Sequence, residues 1–597
     1  MKHFDDFLDG DTSVSPVFTD KARLYEAADI IQKLQLIAQV IDQYDPVGFI
    51  EGFFLLQELP ESEFKPAQRA IEAKYNEIEA NLIEEFVKHH RSGDTQKMAE
   101  LALILSHFRG YNECVNAFIE QIQLTSFRGK DPFKDIVPLC KTSWSTISAV
   151  FPSPNNVMAK FVLNIYHVKL KTHIQTVLSD KNNTELYLRN LFTLYSQTTK
   201  LSQDLSHYNL GSDQQFLSKL TKDIFARYLD SYIQMESNYL NSRSQALLRR
   251  YYESKGHQRK NISSSGTVNE LKRDIHGLIA AKTNFNLGEV TNYGGETFLS
   301  EEVAISLLQE AKEALRRCQV LSKQSDLASN AEEIWNLLVS YLLHNHVDYA
   351  LELGLSGIPL PETKSSPEIY FFDVVSSTNT IIHLVDKLFT DSLVPLVVST
   401  PKQGSCLQNK KNELEKLEVK LDQGLDRALA AAAGWIKTIL SSEQKKTDFN
   451  PTDTNSVPAT ASTVACLKAC RWVGLTTEKI RECLDGRNVE WVLQELGVRL
   501  HRTIYEHLMS FQFASAGAMT LICDMQEYRR CVADWKLPMV TQLFDTLHAM
   551  CNLLILPPEN LRGAAMGDQL ASVDKTILDN WLQCRVDYKT ARLANCL

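Results

Sequence analysis

Apolar residues recur along this chain at steps of three and four, the spacing that gathers them on one face of a 3.6-residue turn. The stretch from Asp485 to Phe513 shows the pattern most fully. Val489, Leu493, Leu496, Leu500, Ile504, Leu508 and Phe511 form one stripe, and Arg499, Arg502 and Glu506 fall off it. Arg502 and Glu506 stand four apart, which predicts an ion pair across one helical turn. The stripe is expected in the buried contacts of the C-terminal half, with Arg499 meeting a carboxylate.

The same design repeats. Leu24–Gln39 places Ile31, Leu34 and Ile37 on one face, and Ala67–His90 places Ile71, Tyr75, Ile78, Leu82 and Phe86. A turn at Ser92-Gly93-Asp94 follows. The next helix carries Met98, Leu101, Leu105 and Phe108 and is expected to stop at Gly110, because glycine accepts positive φ freely. Further helices are predicted over Tyr111–Gln123, Val157–Leu178, Glu185–Leu205 and from Gln214 towards Tyr252, the last capped by Ser212-Asp213. Ser300–Leu321, Ala331–Glu352 and Glu368–Phe389 continue the series, the last through Phe372, Val375, Ile382, Val385 and Leu388. Gln408–Leu440 repeats leucine at 414, 417, 421, 425 and 429. Thr463–Leu484, Met519–Asp534 and Met539–Leu556 follow, and Gln569–Asn595 closes the chain. Ser254–Thr267 is basic and rich in Ser and Gly and reads as a mobile loop. Asn284–Gly295 reads as irregular, Ser356–Glu368 as a connection, Val398–Ser405 as a break and Ser441–Ser462 as a polar stretch. No run alternates apolar and polar for six residues, so no strand is expected. The fold class is all-α. Connections of two to six residues force neighbouring helices antiparallel, as in bundles of αα-hairpins. No repeat period marks a helical-repeat array.

Composition narrows the classes further. Gly (24) and Pro (18) are scarce in 597 residues, which favours long helices. That length exceeds what one core sustains, so several packed units or one long rod are expected. A net charge of −10 argues against general nucleic-acid binding. The longest apolar runs, such as Gly52–Leu56 and Cys551–Leu556, fall far short of the ~20 residues that span a bilayer. The first ten residues lack the pattern of a signal peptide. Twelve scattered cysteines read as reduced cytosolic thiols, which leaves the sequons at Asn182 and Asn261 without meaning.

No catalytic residue, cofactor site or metal site emerges. The acidic start, Asp5 to Asp11, fails as a calcium loop because Phe7 and Pro16 sit where ligands are needed. Gly354-Leu355-Ser356-Gly357 is one residue short of a nucleophile elbow and follows a helix, not a strand, so it reads as a turn. His344, His346 and Asp348 lie at i, i+2 and i+4. Residues two apart point about 200° away from each other on a helix, so these read as surface or capping histidines. Cys466 with Cys470, and Cys523 with Cys531, read as thiols packed as small apolar groups. His89-His90-Arg91 reads as a cationic helix end that complements the dipole. Lys445, Lys446, His257, Arg259 and Lys260 are candidate contacts to anionic lipid. A useful patch needs about four to eight cations together, so they read first as solvated basic turns.

Five ordered stretches carry a family resemblance: Glu26–Leu34, Gly295–Ser300, Glu443–Phe449, Leu496–Leu508 and Leu543–Leu554. Together they resemble the exocyst complex component five family, the Sec-ten type subunits. The resemblance implies an elongated rod of consecutive antiparallel helical bundles, as in other multisubunit tethering complexes. It implies a non-catalytic exocyst subunit that holds secretory vesicles at the plasma membrane before fusion, in the cytoplasm and peripheral to membranes. It also implies contacts with other exocyst subunits, notably component six, and with an Arf-family small GTPase. Two departures are evident. The sequence begins at the family's Phe-x-x-Phe-Leu-Asp-Gly segment, here Phe4–Gly10, so a chain without the coiled-coil region that pairs such subunits is expected. Val40–Gln57 is an 18-residue insert between Gln39 and Glu58 and reads as a retained short intron, which a tryptic peptide spanning Phe49–Phe54 would rule out. The expected organisation is an N-terminal remnant over 1–60 with the irregular insert 40–57, helical bundles over 61–253, an irregular connection over 254–299, a bundle over 300–403 and C-terminal bundles over 404–597. A helical-solenoid adaptor for cargo or signalling proteins is the alternative. A lipid-handling or hydrolytic enzyme on an all-α fold is a third, distant reading.

Overall fold

A computed structural model describes residues 7, 16–43, 61–126, 131–208, 210, 215–257, 296–362, 365–451 and 461–593. The acidic start, most of the insert, Ser212-Asp213 and the greater part of the two irregular runs between 254 and 295 lie outside these residues. The chain forms two compact units, Met1–Glu236 and Ser237–Leu597. Both are helical. Among the described residues the only β-type pairing is one isolated bridge between Phe513 and Arg585.

In the first unit the helices are α1 (Leu24–Gln43), α2 (Glu61–Ser92), α3 (Thr95–Leu105), α4 (Tyr111–Ser126), α5 (Pro132–Val150), α6 (Pro154–Asn164), α7 (Lys171–Val177), α8 (Thr184–Asp204), α9 (Phe216–Asp230) and the start of α10 (Tyr232–Ser254). Helix α2 is the hub and packs against α1, α3 and α4. Its predicted face is the buried one: Ile71, Tyr75, Ile78, Leu82 and Phe86 are all inside. Phe86, Phe118 and Phe151 meet in this core at ring separations of 5.1–6.4 Å. Gly93 has φ +78°, and Asp94 caps α3 by accepting the Lys97 N–H at 3.1 Å, so the turn forms as its residues dictate.

Three expectations for this unit are corrected. Ile37 is exposed, and Ala38 is buried with Ile31 and Leu34. Six residues of helix turn the chain about 240° away from Ile31, whereas seven return it to the same face. Helix α3 ends at Leu105, and Gly110 does not take positive φ. The close feature at Gly110 is Glu79 instead: a Cβ would stand 2.6 Å from Glu79 Cδ and displace that side-chain end, whose carboxylate accepts the Gly110 N–H at 2.5 Å. The single helix predicted from Gln214 to Tyr252 is two helices, interrupted at Ser231, whose hydroxyl turns back onto the Arg227 and Tyr228 carbonyls at 3.3 and 3.4 Å.

The second unit holds the rest of α10 and α11 (Glu301–Leu321), α12 (Leu327–Leu338), α13 (Tyr349–Gly357), α14 (Phe371–Leu388), α15 (Val394–Val397), α16 (Pro401–Glu443), α17 (Lys446–Phe449), α18 (Val464–Cys483), α19 (Arg487–Leu508), α20 (Ser515–Ala533), α21 (Pro538–Asn552), α22 (Pro558–Ala565) and α23 (Lys575–Leu582). Its spine is α16, 43 residues long, or about 65 Å at 1.5 Å per residue. It contacts α12, α13, α14, α18 and α19. Leu417, Leu421, Leu425 and Leu429 are buried as predicted; Leu414 is half-buried. Two glycines let neighbours close on this spine. A Cβ on Gly424 would lie 1.9 Å from Phe371 Cζ, and one on Gly434 would lie 2.1 Å from the Pro361 carbonyl oxygen.

Helix α19 realises the most regular stripe. Leu493, Leu496, Leu500, Ile504 and Leu508 are buried against α16 and α21. Arg502 meets Glu506 at 2.8 Å. Arg499 bridges Glu495 at 2.9 Å and Asp426 of α16 at 2.5 Å, which is the expected carboxylate pairing.

The stretch read as polar, Ser441–Ser462, hides an anchor. Phe449 is buried between Phe511 and Phe513, with ring centroids 5.3 and 5.0 Å away. Its backbone crosses α20 so closely that a Cβ on Gly517 would sit 1.8 Å from the Phe449 carbonyl oxygen. In α14 the buried residue is Ile381, with Ile382 turned to the half-exposed flank. Three wider π-helical turns, Ile165–Leu170, Val339–Asp348 and Phe389–Leu393, interrupt helices that the periodicity presents as uniform.

Candidate functional site

The side chains singled out by their chemistry fall into separate structural settings. His346 is fully buried in the π-helical turn after α12. Its Nε2 lies 3.1 Å from both the N–H and the carbonyl of Ser300, and its Nδ1 lies 3.3 Å from the Tyr252 hydroxyl. Both ring nitrogens are thus occupied by groups that fix the start of α11 and the end of α10. Of the surface or capping reading of His346, the surface part is corrected and the capping part holds at Ser300, the N-cap of α11: a polar ring is buried because every polar atom on it has a partner. His344 is exposed and reaches Glu413 at 3.2 Å. Asp348 meets Lys420 of α16 at 2.5 Å, and Glu352 meets the same lysine at 2.9 Å. The three residues point to three different neighbours and share no ligand position. The last turn of α13 contains Gly354-Leu355-Ser356-Gly357. The Ser356 hydroxyl donates to its own helix at the Leu353 carbonyl, 2.8 Å away.

His257 is also inside. It stacks on Phe298 at 4.0 Å, and its Nε2 lies 2.6 Å from the Tyr349 hydroxyl. It is a plug beneath the end of α10, not a cation offered to a membrane. Arg259 and Lys260 lie outside the described residues. At the end of α2, His89 sits between Glu85 at 3.6 Å and Asp94 at 3.8 Å. His90 packs edge-on against Phe118, and burial, followed by the Arg91 charge, pushes its pKa below the ordinary value. His90 is thus turned into the core, and the permanent charge at this helix end is that of Arg91.

The cysteines gather more than their spacing suggests. Cys466 and Cys470 of α18 and Cys531 of α20 line one seam. Cys531 Sγ approaches the Cys470 carbonyl at 3.7 Å, and Cys466 Sγ approaches the Asp524 carbonyl at 3.5 Å. Hydrogen bonding to Cys466 raises the Cys470 thiol, and hydrogen bonding to Cys470 followed by burial raises Cys531. Cys470 and Cys531 are held protonated, the opposite of a nucleophile. Beside them Asp524 is 2% exposed. Its carboxylate accepts the Thr463 N–H at 2.6 Å and the Thr463 hydroxyl at 2.8 Å. Burial nevertheless raises its pKa to about 6. This carboxylate closes the first turn of α18 from a neighbouring helix. Thr463, the predicted first residue of that helix, was the visible signal, whereas Asp524 carried none.

Among the described residues no group of three or more His, Cys, Asp or Glu is arranged to hold a metal ion. No described helix is long and apolar enough to cross a membrane. What the second unit offers instead is a charged helical surface stitched by ion pairs between helices: Lys402–Glu332 at 2.6 Å, Lys410–Asp386 at 2.8 Å, Lys479–Asp373 at 2.6 Å and Arg529–Asp545 at 2.5 Å.

Residues 26–597 match the family described as exocyst complex component Sec10-like, alpha-helical bundle. The chain belongs to the exocyst complex component Sec10-like family. Exocyst complex component 5 of Homo sapiens is 46% identical over 597 residues, which is 100% of this chain and 81% of the relative. The Drosophila melanogaster protein of that name is 45% identical over 589 residues, covering 98% of this chain and 79% of the relative. Exocyst complex component SEC10a of Arabidopsis thaliana is 25% identical, covering 98% and 75%. Among solved structures, the S. cerevisiae exocyst component Exo70p aligns over 91% of this chain and 100% of its own, with 10% identity and a TM-score of 0.30. The Sec10-like family match runs from within the first turn of α1 through α23, and the stretch from Leu496 to Leu508 that carried the resemblance lies in the buried contacts of α19.

Proposed function

We propose that the chain works as a non-catalytic subunit of the exocyst, holding secretory vesicles at the plasma membrane before fusion. The observation that carries this reading is 46% identity to a named exocyst component along the whole chain. The interior supports it: the buried polar side chains that sequence chemistry pointed to are consumed in fixing helix ends. The physical role is distance and valency. Helical units such as the second, with a spine of about 65 Å, separate contact points. Weak contacts at several of those points add through effective concentration. Other exocyst subunits are the partners, component six among them, with an Arf-family small GTPase as a further contact. The chain acts in the cytoplasm, peripheral to the plasma membrane and vesicles.

Affinity capture of the tagged full chain from its own cells, followed by mass spectrometry, tests the reading. Stoichiometric recovery of other exocyst subunits is the expected outcome. A set of cargo or signalling proteins without any exocyst subunit would replace it with the adaptor reading.

A further inference from the structure

The turn Lys445-Lys446 carries too few charges by itself to hold a membrane. The fold changes that count. Glu443, the last residue of α16, pairs with Lys468 of α18 at 2.6 Å. Gln444 Oε1 lies 3.4 Å from the Thr463 hydroxyl at the start of α18. These two contacts set the Lys445-Lys446 turn beside the first two turns of α18. Lys468 and Arg471 project from those turns and are exposed. Lys437 is exposed and lies seven residues before Gln444, on the same face of α16. Three short segments thus bring five cations to one end of the α16–α18 pair.

The same surface is apolar in the middle. Val464 is 58% exposed and Leu467 50%. Lys468 and Arg471 fall within one turn of Leu467, and with Val464 they share the outward stripe of the helix. Among the described residues, Glu443 is committed to Lys468, Glu527, which acts on Cys470, pairs with Arg530 at 2.7 Å, and the Asp448 carboxylate turns inward to the Lys445 N–H and the Gln444 amide at 2.8 Å each. Aliphatic side chains ringed by lysines match a bilayer surface, where the chains enter the interface and the cations meet anionic headgroups. An acidic protein surface would satisfy the charges and leave Val464 and Leu467 without an apolar partner.

We infer that the surface formed by Lys437, Lys445, Lys446, Lys468 and Arg471 around Val464 and Leu467 is a direct binding site for an anionic lipid bilayer. It goes beyond membership of a tethering complex, because the chain alone is expected to bind. Co-sedimentation of the purified full chain with phosphatidylcholine vesicles, and with vesicles containing phosphatidylserine, tests it. Binding to the anionic vesicles alone, weakening as salt rises, is expected. The K445Q/K446Q/R471Q variant changes only exposed side chains and should lower partitioning about a hundredfold, with an unchanged circular dichroism melt. V464S/L467S should weaken binding at high salt, where charge attraction is screened. Equal binding of wild type and the triple variant, binding to neutral vesicles, or binding only to an acidic polypeptide such as polyglutamate would overturn the assignment. Capture of exocyst subunits is read separately and is expected to survive all of these substitutions.

Discussion

Single atoms decide more here than single charges. Gly424 has no room for a methyl group, because the Phe371 ring fills the place a Cβ would take. Phe371 is buried and cannot swing out. Gly424→Ala should therefore destabilise the second unit by roughly 1–3 kcal/mol or more, the usual range for overpacking, despite alanine's better helix propensity. The smaller ring-free partner in G424A/F371L should recover part of the loss in a thermal melt. A single variant as stable as wild type would mean that the ring is not wedged there. Asp524 supports a second residue-level expectation, in the direction opposite to most carboxylates. Its pKa is raised by burial to about 6 from 3.8. Between about pH 4 and 6 the folded chain keeps a proton that the unfolded chain has released, so this group's contribution falls as pH rises through that window. The window is worth about 3 kcal/mol. Asp524→Asn keeps an oxygen for Thr463 and removes the titration. Its unfolding midpoint should vary less with pH between 4 and 6 than that of wild type, and parallel curves would exclude Asp524 as the source.

At the level of elements, short tertiary ties hold the last helices in place. Arg585 is 5% exposed. It donates to the Leu553 and Leu556 carbonyls just past the end of α21, at 3.0 and 2.6 Å, and pairs with Asp587 at 2.8 Å. Arg585→Met should leave those carbonyls without a donor, while the half-exposed Asp587 turns to solvent, and cost roughly 1–3 kcal/mol. Hydrogen exchange should accelerate first in α23 and the end of α21, and unchanged exchange there would refute the tie. None of these ties was legible in the sequence, whereas the helices they join were. The stripe of α2 and that of α19 could be read because burial on one face imposes a 3.6-residue period on the sequence itself. Ile37 was misplaced because its larger side chain drew the reading away from Ala38, the position seven residues on that returns to the face of Ile31. The role of Gly110 was misread because a glycine after a helical run signals positive φ, whereas here φ is not positive and the residue lies against the Glu79 carboxylate. Asp524, His257 and His346 were beyond reach for a common reason: each is specified by partners dozens of residues away. The lysines around Val464 were invisible as a group because α16, the Lys445-Lys446 turn and α18 each contribute one or two.

For the whole molecule, the size of the chain and the placement of its cores lead to one further expectation. A chain of 597 residues exceeds the roughly 250–300 residues at which a single core stops growing, and it divides into two compact units. Each buries its own large aromatic side chains. In the first, Phe118 touches Phe86, Phe151 and His90; in the second, Phe371 is held between Gly354 and Gly424. Phe118→Ala and Phe371→Ala should each cost about 3–5 kcal/mol locally. A chain built this way has no single unfolding free energy, so the effect has to be read by position. Hydrogen exchange with peptide-level mass spectrometry on the full chain should show F118A accelerating α2 through α5 while α16 and α19 keep wild-type protection. F371A should show the reverse. Acceleration of both sets of helices by either substitution would mean that they open together, and the sequence division near residue 236 would then mark no energetic boundary. Separate responses would give the chain what a multivalent scaffold requires: one unit can yield to strain or to a partner while the other keeps its own contacts.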